Sequence, residues 1–442
     1  MNKKIYISIF TIFFSMNIFA QQSEQYSMKK CLEIGLDKNY SIRIVKNDEQ
    51  VSANKANASY AGLLPTVDLS AGYGADITSS KSKLRSTGES TSSYNVLDQD
   101  FRAGVQLNWT VFDGFGLWTD YKQLRLMKEQ GMLQTRISIE DYMAEMASEY
   151  YNYIQQKIRL KNFRYAVRLT RERMRIVEER YNIGNFSKLD YQQAKVDFNA
   201  DSAKYMKQQE TLKSSIIRLN ELMANDNVNE KINIPDSIID VNEMLNYSTL
   251  ESSMLSNNTE LLKSEQNSAM AQLDLKKVLS RNYPYIKLNA GYTLNKYKYE
   301  VAANKSLDNW GLSTGVTIGF NIFDGKRSAD RKNARLNIES RKLAREDVEL
   351  SIRANFNNLW QAYQNNIEVL NLERQNVVAA QENYDIAHER YLLGDLSGFE
   401  MREAQKSLLD AEERILSAEY NTKMCEISLL QISGNIMNYL KN

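Results

Sequence analysis

Two glutamates are the residues best placed to act on something outside the chain. Glu400 and Glu403 stand three apart in a helical pattern, so their carboxylates share one helix face. Set around a narrow opening, such a face would hold or select cations. The plain alternative is a solvated helix start, where acids favour the helix dipole. No enzyme site accompanies them. The one histidine, His388, reads as a helix-surface residue. There is no GxxxxGK[ST] loop for ATP, and Gly72-Tyr73-Gly74 is a dinucleotide fragment without its third glycine or following helix. Neither a cofactor nor a metal is implied. With 56 basic and 55 acidic residues the net charge is +1, which gives no attraction to nucleic acid.

The glutamates belong to a stretch that occurs twice: ERYNIGNFSKLD at 179–190 and ERYLLGDLSGFE at 389–400. Gly184 and Gly394 can take the left-handed backbone that closes a helix. Ser187 and Ser397 are natural N-caps for the next one. Each copy therefore reads as a hairpin tip, 181–188 or 391–398, between two long helices. From Leu117 to about Asn182, and from Lys326 to Leu393, no proline interrupts the pattern. About 65 helical residues make a rod on the order of 100 Å long. A rod of that length needs a packed partner, which the returning runs 187–225 and 397–433 supply.

The rest of the chain is also written twice. Residues 36–65 match 255–284, and both runs are helical in pattern and end on a proline, Pro65 or Pro284. The first helical run covers 28–62. VQLNWTVFDG at 105–114 matches VTIGFNIFDG at 316–325. This divides the chain into a secretory leader at 1–20, a first repeat at 21–225, an equatorial link at 226–249 and a second repeat at 250–442. The leader has Lys3 and Lys4, an apolar run and Ala20 before the cut. Its removal leaves a net charge of about −1. Cys31 and Cys425 form either one bridge or two buried thiols.

Apolar residues alternate over about 66–77, 102–112, 285–295 and 310–323, with Gly, Ser, Thr, Asn, Lys and Gln between them. These are strands with one apolar and one polar face. Between the first two lies a Ser/Thr-rich loop, 77–100. Strands this long cross a bilayer core when tilted. Four of them cannot close a barrel, and an open edge is not tolerated in lipid. Either the sheet is soluble, or several chains pool their strands.

Taken together, Pro65 and Pro284, the doubled Phe-Asp-Gly at 112–114 and 323–325, and the Arg-Tyr-x-x-Gly-x-x-Ser tips resemble the TolC family of outer-membrane efflux and secretion channels. The likeness covers essentially the whole mature chain. It implies a mainly α chain with a transmembrane β part: a homotrimer with a 12-stranded barrel in outer-membrane lipid and a periplasmic barrel of paired helices. It implies a passive exit duct, with a periplasmic adaptor docking at the tips and an inner-membrane transporter as the motor. It further implies that Glu400 and Glu403 ring the periplasmic entrance. Asp190 and Tyr391 would link neighbouring hairpins in the closed state. Arg180, Gly184, Asn185, Phe186 and Ser187, with Arg390, Gly394, Asp395, Leu396 and Ser397, are the candidates for adaptor contact. The chain departs from the family at Leu189 and Leu396, where polar contacts between hairpins are expected, and at Gln193, the repeat counterpart of Glu403. Two other readings stay open: the exit duct of a type I protein secretion system, and a non-conducting periplasmic coiled-coil spacer.

Overall fold

The computed structural model describes residues 26–302 and 304–440. The expected leader, 1–20, lies outside them. Four antiparallel strands form one sheet in sequence order: β1 (Thr66–Lys83), β2 (Ser90–Phe112), β3 (Tyr285–Lys298) and β4 (Ser306–Gly319). The register sorts side chains by face. Leu69 pairs with Val105, Val105 with Tyr292, and Tyr292 with Leu312; one residue on, Ser70 pairs with Gly104, Gly104 with Thr293, and Thr293 with Gly311. One face is thus apolar and the other small and polar. Leu69, Leu312, Val316 and Ile318 are exposed on the apolar face, which no described element covers.

The strand limits differ from the sequence pattern: β3 runs three residues past 295 and β4 begins four before 310, and two differences are larger. The segment 77–100 is mainly hairpin rather than loop, since β1 and β2 continue pairing past a bulge at Thr78/Ser80 to the pair Lys83↔Ser90. Backbone pairing needs no apolar side chain, and serine and threonine on both faces conceal the alternation. β4 in turn stops at Gly319, not at 323. Its last partner is Tyr285, behind which Pro284 offers no N–H to extend the ladder. The chain instead turns so that Asp324 caps the next helix by accepting from the Lys326 amide at 3.0 Å.

Among the described residues eight helices accompany the sheet: α1 (Met28–Lys38), α2 (Tyr40–Lys55), α3 (Gly116–Asn182), α4 (Lys188–Leu222), α5 (Tyr247–Asn257), α6 (Thr259–Ser280), α7 (Gly325–Leu393) and α8 (Gly398–Ile432), then a 3₁₀ turn, Ile436–Leu440. At 67 and 69 residues, α3 and α7 are each about 100 Å long. The helical run 28–62 is not continuous. It breaks at Asn39 and ends at Lys55, and its counterpart breaks at Asn258. Both asparagines do the same two things. Each side-chain oxygen caps the following helix, accepting from Ser41 and Ile42 or from Glu260 and Leu261. Each amide then donates to the last carbonyl of a returning arm, Leu222 of α4 at 3.1 Å or Ile432 of α8 at 2.9 Å.

α3 packs along α4 and α7 along α8, while α6 joins α3 to α7. A core at mid-length gathers Leu32, Ile42, Met146, Tyr150 and Leu219. The link between repeats belongs to it through Ile232, Ile234 and Ile239, and Tyr150 donates to Asp236 there at 2.6 Å. A second cluster around Phe356 and Tyr363 holds the other side. Cys31 and Cys425 fall in separate clusters and are free thiols; burial pushes Cys31 up to about 12.

Candidate functional site

Each tip is built by the same local devices. α3 ends where Gly184 takes φ +82° and α7 where Gly394 takes φ +88°, a backbone that costs glycine no Cβ clash. The Asn185 and Asp395 amides reach back to the Arg180 and Arg390 carbonyls, both at 2.9 Å. Ser187 and Ser397 then cap α4 and α8. Their hydroxyls accept from the Asp190 and Glu400 amides at 3.2 Å, and those carboxylates accept from the serine amides at 3.0 Å. The serine hydroxyl first, and then its amide, holds each carboxyl below its ordinary range.

Glu400 therefore spends its carboxylate on its own helix start. Glu403 is exposed and makes no direct bond among the described residues. The two glutamates line one depression on the α7–α8 hairpin with Arg390, Leu396 and Phe399. Gly184, Asn185, Ser187, Gly394, Asp395 and Ser397 are exposed, while Phe186 and Leu396 are half-buried. His388 is half-buried rather than fully on the surface, its ring stacked on Tyr384 at 5.8 Å.

The tips touch through Arg180, which is turned towards the second tip. Its Nη2 donates to the Leu392 carbonyl at 3.3 Å, and its guanidinium lies over the Phe186 and Tyr391 rings at 5.4 and 5.6 Å. Tyr391 is only 1% exposed, and burial raises its phenol. Asp190 and Tyr391 are not bonded to each other in the chain. They line one groove of about 480 Å³ between the hairpins, with Phe186, Leu189, Phe399 and Glu403.

Behind that groove lies an ion network that no local spacing announces. Arg173 of α3 pairs with Asp197 of α4 and donates to the Gly398 carbonyl at the start of α8. Arg402 of α8 donates to both oxygens of Asp201 on α4, at 2.7 and 3.0 Å, and lies 4.0 Å from Asp197. Arg173 and Asp201 are buried. Burial opposes the Arg402 charge, but Asp201 and Asp197 outweigh it and raise its pKa. Arg173 and Asp197 pair within the first hairpin, while Arg402 and Asp201 find each other only across the two hairpins. One signal could have found it: the repeat counterparts of Arg402 and Asp201 are Gln192 and Ala411, so the duplication is broken at both partners.

The arrangement can hold two helical hairpins together at an end that exposes carboxylates. Among the described residues no cluster fits a metal ion, and no helix is long and apolar enough to cross a membrane. The family model described as outer membrane efflux protein matches residues 34–225 and 250–435. The outer membrane protein TolC of Escherichia coli (strain K12) is 20% identical over 439 residues, spanning 96% of this chain and 85% of that protein. The Campylobacter jejuni CmeC outer membrane channel superposes with a TM-score of 0.73 at 15% identity, over 98% of this chain and 94% of that one. A membrane protein from Pseudomonas aeruginosa gives 0.73 at 16%, over 92% and 90%.

Proposed function

From the premise that this chain belongs to the outer membrane efflux protein family, we propose that it works as a homotrimeric, passive exit duct, closed at its periplasmic tips and opened when an adaptor docks there. It is an outer-membrane efflux channel with a long periplasmic helical extension. It does no chemistry on what it passes.

The observation that carries the trimer is that both sides of the chain are unfinished. β1 and β4 are free sheet edges, which lipid does not tolerate. On the helical part, α2 flanks α3 on one side and α7 flanks α6 on the other. Exposed leucines recur every seven residues on α7, at Leu336, Leu343 and Leu350; Ile44 and Val51 do so on α2. Such seams seek helical partners. The two sides differ, so copies meet head to tail and close as a ring. Three chains of four strands supply the 12-stranded barrel that the family resemblance implies. The apolar face meets lipid and the polar face lines water.

At the tips, the Arg402–Asp201 pair and the Arg173 bond to the Gly398 carbonyl keep α8 against the first hairpin and so hold the closed state. Glu403, with Glu400 beside it, brings negative charge to the entrance once per copy. The exposed tip residues, Asn185 and Asp395 among them, present the docking surface for the adaptor, behind which an inner-membrane transporter supplies the energy.

Currents through the purified protein in a planar bilayer test this reading. The wild type should conduct weakly with a preference for cations, and Glu400→Ala combined with Glu403→Ala should raise conductance or weaken that preference. Unchanged conductance and selectivity would remove the glutamates from the gate. No current from any tip variant would favour a non-conducting spacer.

A further inference from the structure

Beside the tips, between α3, α7 and α8, lies a cavity of about 20 Å³. Leu169, Ile176 and Met401 form apolar walls. Three other lining side chains carry polar atoms that no group of the described protein satisfies: Arg173 Nε, Tyr391 Oη and Gln405 Nε2. These residues are only 7%, 1% and 1% exposed. An unpaired polar atom at such depth is costly, and here three residues carrying one, from three helices, line one small space, two of them also lining the groove beside it.

We propose that this cavity is a binding site for one internal water molecule, which joins the second tip to the first hairpin. The volume suits a single water. Arg173 Nε and Gln405 Nε2 only donate, whereas Tyr391 Oη can donate or accept. A water oxygen accepts from the first two and returns one proton to the tyrosine. Three bonds are the ordinary complement of a buried water. A halide could also accept from all three donors, but it would need a net positive surrounding. Arg173 and Arg402 are already matched by Asp197 and Asp201, and Glu172 lines the same cavity. When the hairpins separate, each donor passes to bulk water. The bridge therefore adds to the direct bonds of the closed tips a contact that opening exchanges for bulk water.

The site goes beyond the channel reading, and its test reads electron density rather than current. Crystals of the full protein, grown with bromide in place of chloride, should show one water peak within hydrogen-bond distance of Arg173, Tyr391 and Gln405, with no anomalous bromide signal. An anomalous peak there would replace the water with an anion, and an empty cavity in well-ordered density would overturn the site. In Gln405→Met, which puts an apolar thioether into the space, the water peak should vanish while Arg173 keeps its pair with Asp197. A peak that persists in that variant would overturn the assignment of its partners.

Discussion

The first and second tips share a backbone but not an interior. Both close on a left-handed glycine and reopen on a serine capping box. Yet Tyr181 is 37% exposed and stacks on Tyr191, whereas its counterpart Tyr391 is 1% exposed and packs with Met401, the counterpart of Tyr191. The second hairpin is lined by Ala380, Ala387, Ala404 and Ala411, which let its helices approach closely around Tyr384 and Leu408. The first places Asp201 where the second has Ala411, and turns that charge towards Arg402. Duplication preserved the residues that cap a turn and changed those that face the neighbouring hairpin. The difference assigns separate tasks: the second hairpin supplies a packed arm carrying Arg402, and the first supplies the acid that holds it.

Breaking the comparison should hurt most at the buried ions. Asp201→Ala leaves Arg402 without its main partner in a half-buried site, a loss of about 3–5 kcal/mol by the usual cost of orphaning a buried charge. Gln192, the first-repeat counterpart of Arg402, is exposed and makes no such pair, so Gln192→Ala should stay within about 0.5 kcal/mol. Denaturant titration of both variants checks the contrast, and equal losses would show that the network adds nothing to the fold.

The aromatic pair comes next. Tyr391→Ala should cost about 3–4 kcal/mol, as large-to-small changes in packed cores do. Tyr181→Ala should stay within about 1 kcal/mol, since much of its ring already meets solvent. Similar losses at both would mean that the tips are packed alike.

Asn39 and Asn258 sharpen the comparison from the other side, because there the repeats agree. Asn39→Ala and Asn258→Ala should each cost about 1–2 kcal/mol, the loss of an N-cap together with a tether to the returning arm. A large inequality would contradict their equivalence.

The smallest effect is the response of the tips to acid. Asp190 and Glu400 have folded pKa values below their unfolded ones, so the stability they add is complete above the ordinary carboxylate range, roughly pH 4 to 4.5. It is lost as pH falls through the depressed folded values. Hydrogen exchange at the two tips, corrected for its intrinsic pH dependence, should show both fraying together in that window. Protection unchanged at pH 2.5 would remove the capping carboxylates from tip stability.

What the sequence disclosed was what lies close along the chain. The Gly-to-Ser tips are complete within a dozen residues, and the strand faces are plain wherever apolar side chains alternate. The pattern fails past Ile77, where serine and threonine fill both faces of a hairpin held by backbone bonds. It fails at Asn39 and Asn258 because helical periodicity continues across the break, and only the contacts to Leu222 and Ile432 show why each asparagine is there. The Arg402–Asp201 pair joins residues 201 positions apart on separate hairpins, so no local spacing could reveal it. The glutamates were legible as a face, and Ser397 three before Glu400 is the spacing of a capping box, the duty that draws Glu400 away from Glu403.

On the proposed reading, the first hairpin holds the second shut by its grip on Arg402. Planar-bilayer currents of Arg402→Ala and of its repeat counterpart, Gln192→Ala, test it most directly. Conductance or open probability should rise several-fold for Arg402→Ala and stay at the wild-type level for Gln192→Ala. Wild-type currents from Arg402→Ala, or an equal rise in both variants, would contradict the account.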